Sequence, residues 1–163
     1  MTENPTNSLT QYIELFRQNR AMIEAGSIPA MNSRRDAALE VLCHSRLPRR
    51  GDEGYARTSP EEMFAPDYGI NLSRLDLAVN PAESFKCGVP NLSTRLGIVA
   101  NDTFHPTSTL EGKLPEGMLF CSLRRAAAEH PDLVERFYAT VAPIDNPAVA
   151  LNTLLAQDGV MIY

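Results

Sequence analysis

Asn146-Pro-Ala-Val-Ala-Leu-Asn-Thr-Leu-Leu-Ala-Gln-Asp-Gly-Val-Met-Ile-Tyr163 changes its hydrophobic period in the middle, and that change decides the fold class. Asn146 is a good N-cap residue and Pro147 suits the first helical position, where a missing amide costs nothing. Ala148, Val149, Leu151, Leu154 and Leu155 then supply an apolar helix face, which Gly159 ends. Val160-Met-Ile-Tyr163 reads as a strand. Helix passes into strand over a few residues, so the class is α+β rather than a helical bundle. A strand this close to the last residue either pairs backward with an earlier strand or leads into a missing element. The second is expected: a chain cut from a longer one.

Upstream, Leu96-Gly-Ile-Val-Ala100 and Gly117-Met-Leu-Phe-Cys121 are short apolar runs bounded by turn residues, and Ser84–Val89 is a weaker strand candidate. These predict a small mixed sheet with flanking helices. Ser122 caps a helix from Leu123 to about His130, and Pro131 opens another whose inner face holds Leu133, Val134, Phe137 and Val141.

The N-terminal half is helical first and irregular afterwards. Leu9, Tyr12, Ile13, Phe16 and Ile23 recur at helical spacing between a cap at Ser8 or Thr10 and a stop at Gly26. A second helix is predicted from Ser33 to about Leu47, capped by Asn32 or Ser33 and stopped by Pro48. Ala37, Ala38, Val41, Leu42 and Ser45 form its inner face. The short Gly26–Asn32 link should fold the two into an antiparallel hairpin. From 48 to 81, Gly and Pro punctuate the chain too often for long elements. Only Ser59-Pro-Glu-Glu62 signals a helix, of a turn or two before Pro66.

Composition limits the functional classes. The 163 residues are 44% hydrophobic and 21% charged, which is ordinary for a folded domain, and the twelve prolines are too many for a plain bundle. The net charge of −5 argues against nucleic acid as a partner. Arginines 34, 35, 46, 49, 50 and 57 do cluster, but Asp36, Glu40, Asp52 and Glu53 leave a local excess of only two, a solvated or partner-facing surface. The first ten residues lack a signal-peptide pattern, and no run approaches the ~18 apolar residues of a membrane span. Cys43, Cys87 and Cys121 are odd in number and scattered, unlike a disulfide framework. The expected setting is the reduced cytoplasm, without a membrane.

A search for organised chemistry returns little. Cys43-His44 sets a thiol beside an imidazole, but adjacent helical residues point about 100° apart. Cys87, His105 and Cys121 could meet only if their strands were neighbours, and no metal-ligand spacing organises them. Asp52-Glu53 and Glu61-Glu62 read as solvated carboxylates or helix starts. Phosphate-binding glycine loops and the G-x-S-x-G elbow are absent. We therefore expect no enzyme, and no catalytic, cofactor-binding or metal residues. The alternative is a cysteine-dependent hydrolase or thiol transferase built on Cys43, Cys87 or Cys121.

Several segments nevertheless resemble one family. Leu47-Pro-Arg-Arg-Gly-Asp-Glu-Gly-Tyr-Ala-Arg-Thr58 is similar to a stretch that follows the N-terminal helices of SufB/SufD-type proteins, with Pro48, Arg50, Glu53, Tyr55 and Thr58 in matching positions. Gly51 and Ala56 depart from it where lysine is usual, and Arg57 where an aromatic is common. Phe64–Leu75, Phe85–Leu92, Leu114-Pro-Glu-Gly117 with Ser122-Leu123, and Leu151–Tyr163 match the order and spacing of SufD, in a Bacteroidetes-like version. The resemblance implies that residues 1–145 are a SufD N-terminal α/β domain: hairpin at about 8–47, irregular region at 48–81, strands and helices at 82–145. It implies that 146–163 lead into a right-handed parallel β-helix, truncated here at its first strand. It further implies a scaffold subunit that contacts SufB-like and SufC-like partners. The parent complex handles iron–sulfur clusters and uses ATP through SufC, and no cofactor belongs to this part. An exposed strand edge would also permit a homodimer.

Overall fold

The computed structural model describes residues 7–70, 72–73, 81, 95–100, 103–107, 110 and 114–163. Helix α1 spans Leu9–Ala25 and buries Leu9, Tyr12, Ile13, Phe16 and Ile23, the five positions its spacing predicts. It kinks at Asn19, whose side-chain amide donates to the Leu15 carbonyl (2.9 Å), an i−4 bond that competes with the helical ladder. Its first turn is not capped by the Ser8 side chain. Asn7 Oδ1 accepts from the Leu9 amide (3.1 Å), and Glu61 Oε1 accepts from the Ser8 amide (2.9 Å).

The second arm of the hairpin is broken. Pro29 opens a single turn, α2 (Pro29–Asn32), and α3 follows as Arg35–Cys43. On α3 Ala38 and Leu42 are buried, while Ala37 is exposed and Val41 half-buried. The inner face therefore lies rotated from its expected position, and the helix ends four residues short of Leu47. Arg20 on α1 bridges to Glu24 and to Asp36 on α3, each at 2.7 Å, a surface tie across the two helices. Helix α4 (Pro60–Phe64) forms where Ser59-Pro60 predicts it, with Ser59 Oγ accepting from the Glu62 amide (3.4 Å).

In the C-terminal half, strands β1 (Gly97–Ala100) and β2 (Thr103–Pro106) form one antiparallel ladder. Strand β3 (Phe120–Ser122) pairs antiparallel with β4 (Val160–Ile162), placing Cys121 opposite Met161. Among the described residues there are thus two antiparallel ladders where a mixed sheet was expected. Phe104 of β2 and Phe120 of β3 stack at 5.5 Å between centroids and join them. The final strand pairs backward, with β3. β2 escapes the sequence reading because Thr-Phe-His-Pro carries no apolar run, and the Ser84–Val89 candidate lies outside the described residues.

Helices α5 (Leu123–Glu129), α6 (Pro131–Phe137) and α7 (Pro147–Leu155) complete the chain. Ser122 Oγ caps α5 at the Arg125 amide (3.1 Å), and Asn146 Oδ1 caps α7 at the Ala148 amide (2.9 Å). α6 stops at Phe137, so Val141, expected on its inner face, is 93% exposed.

Two apolar clusters result. The first joins α1, α3 and α7 through residues such as Phe16, Ala38, Leu42, Ala150, Leu151 and Leu154. The second joins α2, α5, α6 and the β3–β4 ladder through Ile28, Met31, Cys121, Ala126, Val134 and Met161. The last eighteen residues enter both, α7 in the first and β4 in the second.

Candidate interaction surface

The residues suspected of chemistry do not converge. His44 Nδ1 lies 2.9 Å from the Glu40 carbonyl, which selects the Nδ1–H tautomer, while the exposed Cys43 sulfur accepts from Arg17 Nη2 at 3.5 Å. Neighbouring helical side chains are thus engaged with different partners. Cys121 is buried, and burial pushes its thiol pKa up despite the opposing field of Arg125. That is the reverse of what a nucleophilic thiolate needs. Cys87 lies outside the described residues, so the Cys87–His105–Cys121 grouping is not seen as a set. Among the described residues no three or more His, Cys, Asp and Glu side chains are placed to hold a metal ion. Glu61, read as a solvated carboxylate or a helix start, does lie in the first turn of α4, but it is buried and also serves the α1 N-terminus.

Arg35 is the main residue that sequence reasoning misplaces. Counted among surface arginines, it is 0% exposed. Its Nη1 donates to the carbonyls of Thr153 (3.1 Å) and Leu154 (2.6 Å), and its Nη2 to Ala156 (2.8 Å) and to Ser27 Oγ (2.9 Å). Its Nε donates to Asn32 Oδ1 (3.0 Å). The planar guanidinium, with five donors in a fixed fork, suits such a cluster of oxygens. It caps the C-terminus of α7, where orphan carbonyls gather partial negative charge. The flanking charges hid this: Arg34-Arg35-Asp36 looks like a solvated run, and only the long-range partners distinguish the middle residue.

Around the seam other polar groups do similar work. Gln157 Nε2 donates to the Leu72 carbonyl (2.9 Å), Asp158 Oδ1 accepts from the Arg124 amide (3.0 Å), and Arg124 Nη2 donates to the Gly26 carbonyl. Ala156–Gly159 is therefore a strap pinned between the two apolar clusters.

What the strap leads to is exposed and apolar. Among the described residues β4 pairs with β3 alone, and Ile162 (68%) on it and Tyr163 (52%) just beyond it are exposed. The Phe137 and Tyr163 rings lie 6.0 Å apart, centroid to centroid. Beside them opens a cavity of about 750 Å³, walled by Met31, Val134, Phe137, Tyr138 and Ile162, with Asn152 and Asp158 among its polar lining. Exposed apolar side chains grouped in this way stand apart from the scattered ones of an ordinary surface. In and after α4, Met63, Phe64, Tyr68 and Ile70 are likewise exposed. No helix of the described residues is long and apolar enough to cross a membrane.

The family model described as the SufBD protein N-terminal region matches residues 6–163. An iron-sulfur cluster assembly SufBD family protein of Synechocystis sp. is 39% identical over 102 residues, covering 56% of this chain and 21% of that protein. A chloroplastic protein of the same description from Arabidopsis thaliana is 34% identical over 129 residues, covering 71% and 23%. A second from Arabidopsis thaliana is 26% identical over 126 residues, covering 77% and 26%. The chain thus spans about a quarter of the length of these curated relatives. No solved structure matches it. The family match runs through both apolar clusters and the strap between them, and by it the chain belongs to the SufBD family, whose N-terminal region it represents.

Proposed function

We propose that this chain is the N-terminal domain of a SufD-type scaffold subunit in iron–sulfur cluster assembly, and that it acts by protein–protein contact. The observation that carries the reading is the apolar face of Phe137, Ile162 and Tyr163 beside a cavity of about 750 Å³. Such a face costs solubility unless a partner covers it. The printed names of the relatives supply the process, and the ordered resemblance in Leu47–Thr58, Leu114–Gly117 and Leu151–Tyr163 favours SufD within the family. The partners on this reading are SufB-like and SufC-like subunits in the cytoplasm. The cluster and the ATP are handled by the assembled complex and not by side chains of this part.

The test uses the full-length parent protein. Phe137→Glu combined with Ile162→Glu places two charges on the face, while the core positions Val134 and Met161 stay untouched. Copurification with the SufB-like and SufC-like subunits should fall by about tenfold or more, as expected when central apolar contacts are lost. Cluster yield should fall with it. Unchanged complex formation and unchanged cluster yield from a folded variant would reject the reading.

A further inference from the structure

Between the first turns of α1 and the segment after α4 lies a small cavity of about 320 Å³, lined by Gln11, Tyr12, Leu15, Asp67, Tyr68 and Ile70. Gln11 Nε2 donates to the carbonyls of Phe64 (2.8 Å) and Ala65 (3.1 Å). Tyr12 Oη donates to the Phe64 carbonyl (2.9 Å) and Tyr68 Oη to the Met63 carbonyl (2.5 Å). Carbonyls only accept, so both amide hydrogens of Gln11 and the one hydroxyl hydrogen of each tyrosine are committed to the end of α4. These three side chains therefore offer the cavity lone pairs alone, on Gln11 Oε1 and the two phenol oxygens. Asp67 adds a carboxylate, one oxygen of which accepts from the Gly69 amide (2.8 Å). Among the described residues no Lys, Arg or His lines the cavity to balance that charge.

Aromatic rings complete the wall. Tyr12 packs edge-on against Phe64, with centroids 6.1 Å apart, and Tyr68 is 64% exposed. The Tyr12 phenol pKa is raised, by burial first and then by Tyr68 and Asp67, as a negative surrounding requires. A neutral donor can use the lone pairs, but only a cation also gains from the ring faces and the carboxylate charge. We propose that this cavity receives one basic side chain, a lysine or arginine, from a partner polypeptide. The volume is near the lower bound of ligand pockets, about 300 Å³, which suits one side chain better than a large ligand. The exposed apolar groups Met63, Phe64 and Ile70 beside it give the residues flanking that side chain something to cover, where a free cation would leave them bare. The site shares no residue with the β4 face and does not depend on the SufD reading.

NMR of the 163-residue chain with isotope-labelled tyrosines tests this with an end-blocked peptide, Ala-Leu-Lys-Leu-Ala. The Tyr12 and Tyr68 ring signals should shift saturably, with a dissociation constant of about a millimolar, the strength expected of one cation on rings and a carboxylate in water. The same peptide with norleucine in place of lysine keeps the stem without the charge and should bind about tenfold more weakly. The n-butylammonium ion keeps the charged head without the flanking residues and should bind about fivefold more weakly. Asp67→Asn preserves the acceptor for Gly69 and removes the charge, so it should weaken the lysine peptide about fivefold. Tyr68→Leu should weaken it about as much, through the lost ring. Equal binding of the norleucine peptide, or no change in Asp67→Asn, overturns the assignment to a cation. Equal binding of n-butylammonium overturns the assignment to a polypeptide, and the absence of any saturable shift overturns the site itself. The peptide comparisons use the unaltered chain, so they decide the matter even if a variant does not fold.

Discussion

The Glu61 carboxylate accepts a hydrogen bond from the backbone amide of Ser8 at 2.9 Å, joining α4 to the start of α1 across 53 residues. The contact turns a loop helix of five residues into the cap of a helix of seventeen. A carboxylate there also meets the positive end of the α1 dipole.

Replacing Glu61 with Ala should therefore destabilise the fold by about 1–3 kcal/mol, the range for losing a buried bond to a charged group and a cap together. Glu61→Gln keeps an acceptor oxygen and loses only the charge, so it should cost less than half as much. Urea unfolding of the two variants checks the order. Equal losses would mean that side-chain volume, not the cap, is what Glu61 provides.

Gly26 should resist substitution for a reason its sequence position does not reveal. It ends α1, but with φ −76° and ψ −1°, a conformation open to any residue. What excludes a side chain is Gln157, whose Oε1 occupies the space a Cβ would need, while its Nε2 is committed to the Leu72 carbonyl. Gly26→Ala should cost about 1–3 kcal/mol, as overpacking commonly does. In a Gln157→Ala background the same change should cost much less, and a double-mutant cycle in thermal unfolding reads the coupling. Additive effects would show that the contact is not what restricts Gly26.

These two sites mark where the sequence is legible and where it stops being so. The face of α1, the caps Ser59, Ser122 and Asn146, and the strand at Val160 can all be read, because each signal lies within one turn or one alternation of the residue it governs. Arg35, Glu61 and Gln157 cannot. Each is a polar residue buried by partners 53 to 121 positions away, and composition alone assigns such residues to the surface. The apolar face was illegible for the opposite reason. Phe137 and Val141 fit a helical period and so read as core, but α6 ends at Phe137 and the backbone turns away through Ala139, with φ 55°.

The loop after α3 carries a pH-dependent tie. The Arg46 guanidinium grips both oxygens of Asp52 (2.7 and 3.1 Å), and the Arg49 amide donates to one of them (2.8 Å). Together they hold the Asp52 carboxyl at a pKa of about 2, against an ordinary 3.8. Since the folded value is the lower one, the tie stabilises fully above about pH 4 and fades as pH falls towards 2. Asp52 is solvent-facing, so salt should weaken the effect. An NMR titration of the Asp52 carboxyl should show its midpoint rising towards the ordinary value in Arg46→Ala, while stopping short of it because the Arg49 amide remains. A midpoint unmoved by Arg46→Ala would assign the shift to the backbone alone.

The cysteines provide the sharpest separation between a docking domain and a thiol enzyme. Cys43 is exposed at the end of α3, whereas Cys121 faces Met161 inside the β3–β4 ladder with its thiol pKa raised by burial. Reaction with an alkylating reagent needs both access and thiolate. In a Cys87→Ser background, native protein near neutral pH should take up one equivalent of iodoacetamide at Cys43, at the slow rate of an unactivated thiol. Cys121 should react only after denaturation, and peptide mass spectrometry would locate each adduct. Rapid native labelling of Cys121 would contradict the buried ladder. A Cys43 rate about a hundredfold above that of a free thiol would instead reveal an activated nucleophile and revive the enzymatic alternative.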